Sequence, residues 1–249
     1  MCTMAGSIYD NYVEAVKKQL EKEELTFKSD PNYQYMLEHS NYGHVGLQYL
    51  NVIKNELKLT PDEIMRFTTF NDSFGKPETT DYGVIPPCSP TSLRYVYQSH
   101  LILKHMQELG ITNPSIIEIG GGYGGLCMAV HMYAPKFGVT PKLYTIIDLE
   151  VPGKLQKRVL DMNGYTSVEL CNAETFGSDI TTNDAFLISA YAFSEIQPEL
   201  QKRYLDVLFP KISHGFIAWN CIPVYDFGKE IRLEDERPLT GPINKFVYF

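Results

Sequence analysis

The chain has 249 residues, 44% of them hydrophobic, and a formal net charge of -8. That is enough apolar material for a sizeable core, and it suits one domain with an appendage. The acidic balance repels phosphate backbones, and the longest basic cluster, Lys154 to Arg158, reads as a helix face, so no nucleic-acid partner is expected.

In chain order, Ile8 to Glu24 places Ile8, Tyr12, Val13, Val16 and Leu20 on one helix face. Tyr33 to His39 predicts a second helix and Val45 to Leu57 a third. A fourth opens with Thr60 as N-cap and Pro61 at the first helical position. Asn71 to Pro90 is a break rich in Gly, Pro, Asp and Thr. Helical spacing resumes over Thr91 to Leu109, and Gly110 ends it. Residues 1–110 therefore read as a helical N-terminal extension, suited to capping a site, binding an acceptor or forming a homodimer through its helices.

Residues 111–249 alternate strands and helices, the pattern of a mostly parallel sheet covered on both faces. The predicted strands are Ser115 to Ile119, Lys142 to Asp148, Ser167 to Cys171, Ala185 to Ala190 and Gly215 to Asn220. A helix runs from Pro152 to about Asn163, and another follows the fourth strand to Leu208. The tail, Lys229 to Arg237 and Lys245 to Phe249 joined by a Pro-Leu-Thr-Gly-Pro turn, reads as a closing antiparallel pair of strands.

The chain is organised around Ser115 to Gly125, where a β-branched strand runs into a glycine burst and then a helix. Such a turn lets a ligand approach the backbone. Gly120, Gly122 and Gly125 fit the dinucleotide pattern of an NAD enzyme. Glu118, Gly120, Gly122 and Gly124 fit the acidic-x-G-x-G-x-G pattern of S-adenosyl-L-methionine (SAM) methyltransferases. A carboxylate at Glu118 repels a pyrophosphate and favours the sulfonium and ammonium of SAM, so charge prefers SAM to NAD.

Ligands in open parallel sheets bind at the carboxyl ends of the strands. Asp148 there can accept hydrogen bonds from ribose hydroxyls, with Leu149 packing beside it. Asn172 and Ala173 either read an adenine edge or form an Asx turn. Ser189 to Glu195 ends the fourth strand. Glu195 is a candidate general base and Tyr191 a candidate for the acceptor pocket, although Ser194 and Gln197 also spell a helix capping box. The histidines give no metal pair, since His100 and His105 do not share a helix face. No carboxylate cluster exceeds Asp148 and Glu150, so no metal ligands are assigned and a divalent metal stays open. Five scattered cysteines without C-x-x-C suggest reduced thiols, and no run is long and apolar enough for a membrane span. Together these suggest a cytoplasmic protein, in host cytoplasm if viral.

With these residues in view, the chain resembles the sugar O-methyltransferase family of class I SAM-dependent methyltransferases. The resemblance rests on Ser89-Pro-Thr-Ser-Leu-Arg-Tyr, Ile117-Glu-Ile-Gly-Gly-Gly-Tyr-Gly-Gly, Tyr144-Thr-Ile-Ile-Asp-Leu and Phe193-Ser-Glu. It implies a Rossmann-like fold with a seven-stranded, mostly parallel sheet. It also implies that Glu118, Gly120, Gly121, Gly122, Tyr123 and Asp148 hold SAM, leaving S-adenosylhomocysteine as product, with Arg94 and Tyr95 approaching from the preceding helix. The chain departs from the family over Ser189-Ala-Tyr-Ala-Phe, where an Asn commonly precedes Ser-Phe-Ser-Glu, so the fourth-strand contacts differ. The expected activity is methylation of a hydroxyl on a carbohydrate acceptor, a glycan or nucleotide sugar, with a terminal deoxyhexose such as rhamnose as the specific expectation. The alternatives are an NAD-dependent oxidoreductase and a non-catalytic SAM-binding regulatory or scaffold subunit.

Overall fold

A computed structural model describes residues 6–38 and 43–249. The chain divides into two compact units, one ending at Leu101 and the other running Ile102–Phe249.

The first unit is helical. It contains α1 (Gly6–Leu20), α2 (Pro31–Leu37), α3 (Gly43–Val52) and α4 (Pro61–Asp72), and α5 (Pro90–Glu108) begins in it. The Asp30 side chain caps α2 by accepting from the Asn32 and Tyr33 N–H groups at 3.0 and 3.4 Å. Thr60 and Glu63 form a reciprocal capping box at the start of α4: Glu63 Oε2 accepts from Thr60 N at 2.8 Å, and Thr60 Oγ1 accepts from Glu63 N at 3.3 Å. Two predicted helices end differently. The first stops at Leu20, and the third passes at Ile53–Leu57 into a π-helical turn closed by Lys58 in the left-handed region. His39, the predicted end of the second helix, lies outside the described residues. Tyr33 anchors this unit, its ring 5.6 Å from Tyr12 and 4.9 Å edge-on to Phe27.

The second unit is a seven-stranded sheet in the order β3-β2-β1-β4-β5-β7-β6. Its strands are β1 (Ser115–Ile119), β2 (Leu143–Asp148), β3 (Glu169–Asn172), β4 (Ala185–Ala190), β5 (Ile212–Trp219), β6 (Arg232–Asp235) and β7 (Lys245–Tyr248). The first five are parallel, and β7 is antiparallel to both β5 and β6. The connecting helices are α6 (Gly125–Tyr133), α7 (Glu150–Met162), α8 (Ala192–Glu195) and α9 (Pro198–Val207). β1 and β4 take their predicted bounds, and the tail forms the predicted antiparallel pair.

One helix expected after β4 is instead two. Ser194 and Gln197 form no capping box: Ser194 Oγ lies 2.6 Å from Asn220 Oδ1, and α9 starts at Pro198 without a side-chain cap. An aromatic core covers one face of the sheet, with Phe193 edge-on to Trp219 at 5.8 Å and Trp219 stacked on Phe227 at 6.0 Å. Cys88, Cys127 and Cys171 are free thiols. Cys221 is disulfide-bonded, against the expectation of five reduced thiols, because sequence spacing does not reveal which sulfurs meet in space. Among the described residues no helix is long and apolar enough to cross a membrane.

Candidate functional site

The strand order reverses between β1 and β4, so the carboxyl ends of these strands and of β2 form the crevice where an open sheet takes its ligand. The glycine turn lies there. Gly120, Gly122 and Gly124 all have positive φ, at 75°, 59° and 91°. Gly120 is doubly constrained, because a Cβ on it would stand 2.2 Å from the Cβ of Ala192 at the start of α8. The turn and the start of α8, just after the fourth strand, thus meet through bare backbone on one side and a single methyl on the other.

Parallel pairing sets Asp148 beside Asn172 and Ile119 beside Ile147. It brings the Asp148 carboxylate against the turn. Oδ2 accepts from Gly121 N at 3.1 Å and from Gln156 Nε2 at 2.6 Å, and Oδ1 accepts from Leu149 N at 2.8 Å. A carboxylate offers about four acceptor positions. Three are filled, and the one left is on Oδ1. Burial pushes Asp148 up to about 6, while these hydrogen bonds pull in the opposite direction.

Glu118 sits differently from the expectation. Its side chain is 1% exposed and receives the Tyr144 hydroxyl at 2.8 Å. Burial pushes its carboxyl up to about 8, and nearby Asp148 adds to the rise. The carboxylate expected at the mouth of the turn lies beneath it, where burial favours its protonated form, because both faces of β1 are covered.

Three of the turn's N–H groups are already engaged. Gly120 N donates to Ile147 O at 3.0 Å, Gly121 N to Asp148, and Gly124 N to Gly121 O at 2.8 Å. The amide cradle that a diphosphate would use is thus partly closed, and one of its amides is turned toward a carboxylate.

The remaining predicted residues are spread over several places. Leu149 is exposed beside Asp148, and Asn172 forms the Asx turn, its Oδ1 accepting from Glu174 N at 3.0 Å, with Ala173 following it. Ser189 is fully buried; its hydroxyl donates to Ile119 O at 3.1 Å and accepts from Phe193 N at 3.0 Å, stitching β4 to β1. Tyr123 is buried within the turn. At the end of β4, Tyr191 is held in the left-handed region at φ 71°, a costly conformation for a tyrosine, and its hydroxyl donates to Glu236 at 2.5 Å. Glu195 Oε1 accepts from Asn220 Nδ2 at 2.5 Å. Arg94 and Tyr95 belong to the first unit, where Arg94 donates to Leu37 O at 2.9 Å and its guanidinium lies 5.2 Å from the Tyr95 ring. His131 turns Nδ1 toward Cys127 O at 2.9 Å and packs against Tyr144, a structural arrangement.

Sequence reasoning missed Gln156, Asn220 and Glu236. Gln156 carried a signal, being polar on the apolar stripe of α7 defined by Pro152, Leu155, Val159 and Leu160. Glu236 is 1% exposed and every contact donates to it: Tyr191, the Thr240 N–H and hydroxyl, and Asn244. Nothing in its local sequence marks this. Among the described residues, no group of three or more His, Cys, Asp or Glu is placed to hold a metal ion.

No family model matches the chain, and no curated protein matches it. Among solved structures, a SAM-dependent methyltransferase from Aquifex aeolicus is 17% identical, with a TM-score of 0.45, covering 76% of this chain and 97% of that one. A protein described as an O-methyltransferase from Nostoc punctiforme PCC 73102 is 12% identical, with a TM-score of 0.47, covering 82% and 71%. A protein described as a sarcosine dimethylglycine methyltransferase from Galdieria sulphuraria is 18% identical, with a TM-score of 0.39, covering 52% and 48%. The chain spans about half the length of that last protein. The strand order, with β7 reversed between β5 and β6, is the Rossmann-like class I methyltransferase arrangement expected from the sequence.

Proposed function

We propose that the chain is a SAM-dependent O-methyltransferase acting on a sugar hydroxyl. The observation that carries the cofactor reading is the engagement of Gly121 N with Asp148. A diphosphate would meet a carboxylate where it needs a free amide, and would push two acids already raised by burial, Glu118 and Asp148, further up. A ligand bearing an ammonium and a sulfonium relaxes both. The residues present fit its adenosyl part. Asp148 Oδ1 keeps an acceptor position for a ribose hydroxyl, Asn172 Nδ2 is a donor for the adenine edge, and exposed Leu149 offers an apolar surface for the ring.

When bound, SAM supplies an electrophilic methyl group for in-line transfer. The chain's own part is to hold the acceptor hydroxyl in line and to take its proton. Glu195 is the base in this reading, oriented by Asn220. Tyr191, fixed by Glu236, flanks the acceptor. The sugar as acceptor is supported by the resemblance through Ser89-Pro-Thr-Ser-Leu-Arg-Tyr and Phe193-Ser-Glu. Transfer of a labelled methyl from SAM to a panel of sugars and nucleotide sugars tests the reading. Label in a sugar fraction, reduced at least about a hundredfold by Glu195→Ala, supports it. Cofactor binding with no sugar labelled overturns the assigned activity.

A further inference from the structure

Gln156 is completely buried on α7. Its Nε2 donates to Asp148 Oδ2 at 2.6 Å and to the Gly122 carbonyl at 3.1 Å. One side-chain amide thus ties the ribose-acceptor carboxylate to the glycine turn. Its Oε1 is also buried and has no hydrogen-bond partner. Burying an acceptor without a donor is unfavourable, and an apolar side chain of similar volume would avoid that cost. A packing role alone therefore does not account for an amide here. The two bonds it donates do. The turn packs closely here: a Cβ on Gly121 would stand 2.5 Å from Ile146 Cγ2 and 3.5 Å from Gln156 Nε2.

We propose that Gln156 is a positioning residue of the cofactor site, holding the glycine turn and the Asp148 carboxylate in register and leaving Asp148 a single acceptor position, on Oδ1, for the ribose. The proposal rests on the adenosyl-cofactor reading above. Its consequence is electrostatic as well as geometric. The Gln156 amide favours the ionised form of Asp148 against the burial that disfavours it, so its removal drives the carboxyl further up. The other titratable groups facing Asp148 are Glu118 from β1 and Tyr204 from α9, whose own ionised forms are disfavoured by it. On α7 the only acid of the first turn, Glu150, is paired with Lys154 at 2.6 Å. β3 presents the neutral amide of Asn172. None of these replaces the donor that Gln156 supplies.

The test is calorimetric titration of the full chain with S-adenosylhomocysteine across pH 5 to 8.5. Wild type, Gln156→Leu, Gln156→Glu and Leu160→Ala are compared, and each variant's fold is checked by circular dichroism and thermal melting. Wild-type affinity falls as the pH drops through about 6. Gln156→Leu binds about tenfold more weakly at pH 7.5, and its acid limb moves to higher pH. Leu160→Ala, which loosens the same buried stripe of α7, weakens binding without moving that limb. Should Gln156→Leu fail to fold, Gln156→Glu keeps the shape while replacing the donor with a second acid, and moves the limb up in the same direction. Folded Gln156 variants with wild-type affinity and a wild-type acid limb overturn the proposal. A wild-type chain that binds no S-adenosylhomocysteine at any pH overturns the cofactor reading itself, and the proposal with it.

Discussion

Replacing Gly120 with alanine tests the geometry on which the site depends. Two separate costs arise. The backbone sits at φ 75°, where an L-residue with a Cβ is disfavoured by about 1 to 2 kcal/mol. The new methyl would also stand 2.2 Å from the Ala192 Cβ, well inside the roughly 3.5 to 4.0 Å of ordinary carbon contact. Overpacking of this kind costs about 1 to 3 kcal/mol. The sum is about 2 to 5 kcal/mol, and at about 2 to 4 °C per kcal/mol for a chain of this size the melting temperature falls by roughly 4 to 20 °C. Ala192→Gly removes the overlap but not the backbone cost. The double variant Gly120→Ala/Ala192→Gly should therefore recover about 1 to 3 kcal/mol, a coupling energy measurable by a double-mutant cycle in chemical denaturation. Additive single effects, within about 0.5 kcal/mol, would refute the close approach of the turn and the start of α8.

Other outcomes follow from the same physical picture. Glu118 has its carboxyl raised to about 8 in the folded chain, so between about 4.5 and 8 the folded state holds a proton that the unfolded state has lost. Stability from this group is present below about 4.5 and is lost as pH rises toward 8, so Glu118→Gln should melt higher than wild type at pH 9, the gap closing by pH 5. Tyr191→Phe removes the one donor to Glu236 Oε1 and should cost about 1 to 3 kcal/mol in denaturant unfolding; an unchanged midpoint would contradict that hydrogen bond. In the helical unit, Lys28 is fully buried, its Nζ meeting the Asn71 carbonyl and lying 4.0 Å over the Phe74 ring, with Glu38 as its charge partner. Lys28→Met should destabilise by about 3 to 5 kcal/mol, and adding Glu38→Gln should restore part of that, read from melting curves.

Much of the sheet was legible because its signals are local. β1 and β4 are short, mainly apolar runs bounded by turn residues, and the glycine burst marks where the chain must bend sharply. The chemistry of the site was less legible because it depends on residues far apart in sequence. The protonation preference of Glu118 could not be read from β1, since it is set mainly by the cover over both faces, against the opposing hydrogen bond from Tyr144 on the neighbouring strand. Ser194 carries a valid capping signature, but Asn220 at the end of β5 offers its hydroxyl a closer partner. Asp148 was visible as a strand-end acid, whereas the three donors that fill most of its acceptor positions come from the turn, the next residue and α7. Glu236 joins Tyr191 only because the terminal strands fold back beside β5.

Side-by-side titration of the unmodified chain with S-adenosylhomocysteine and with NAD at neutral pH tests the central claim most directly. One equivalent of the thioether nucleoside should bind, with NAD giving no heat of binding. Saturable NAD binding, with none for the thioether, would contradict the account.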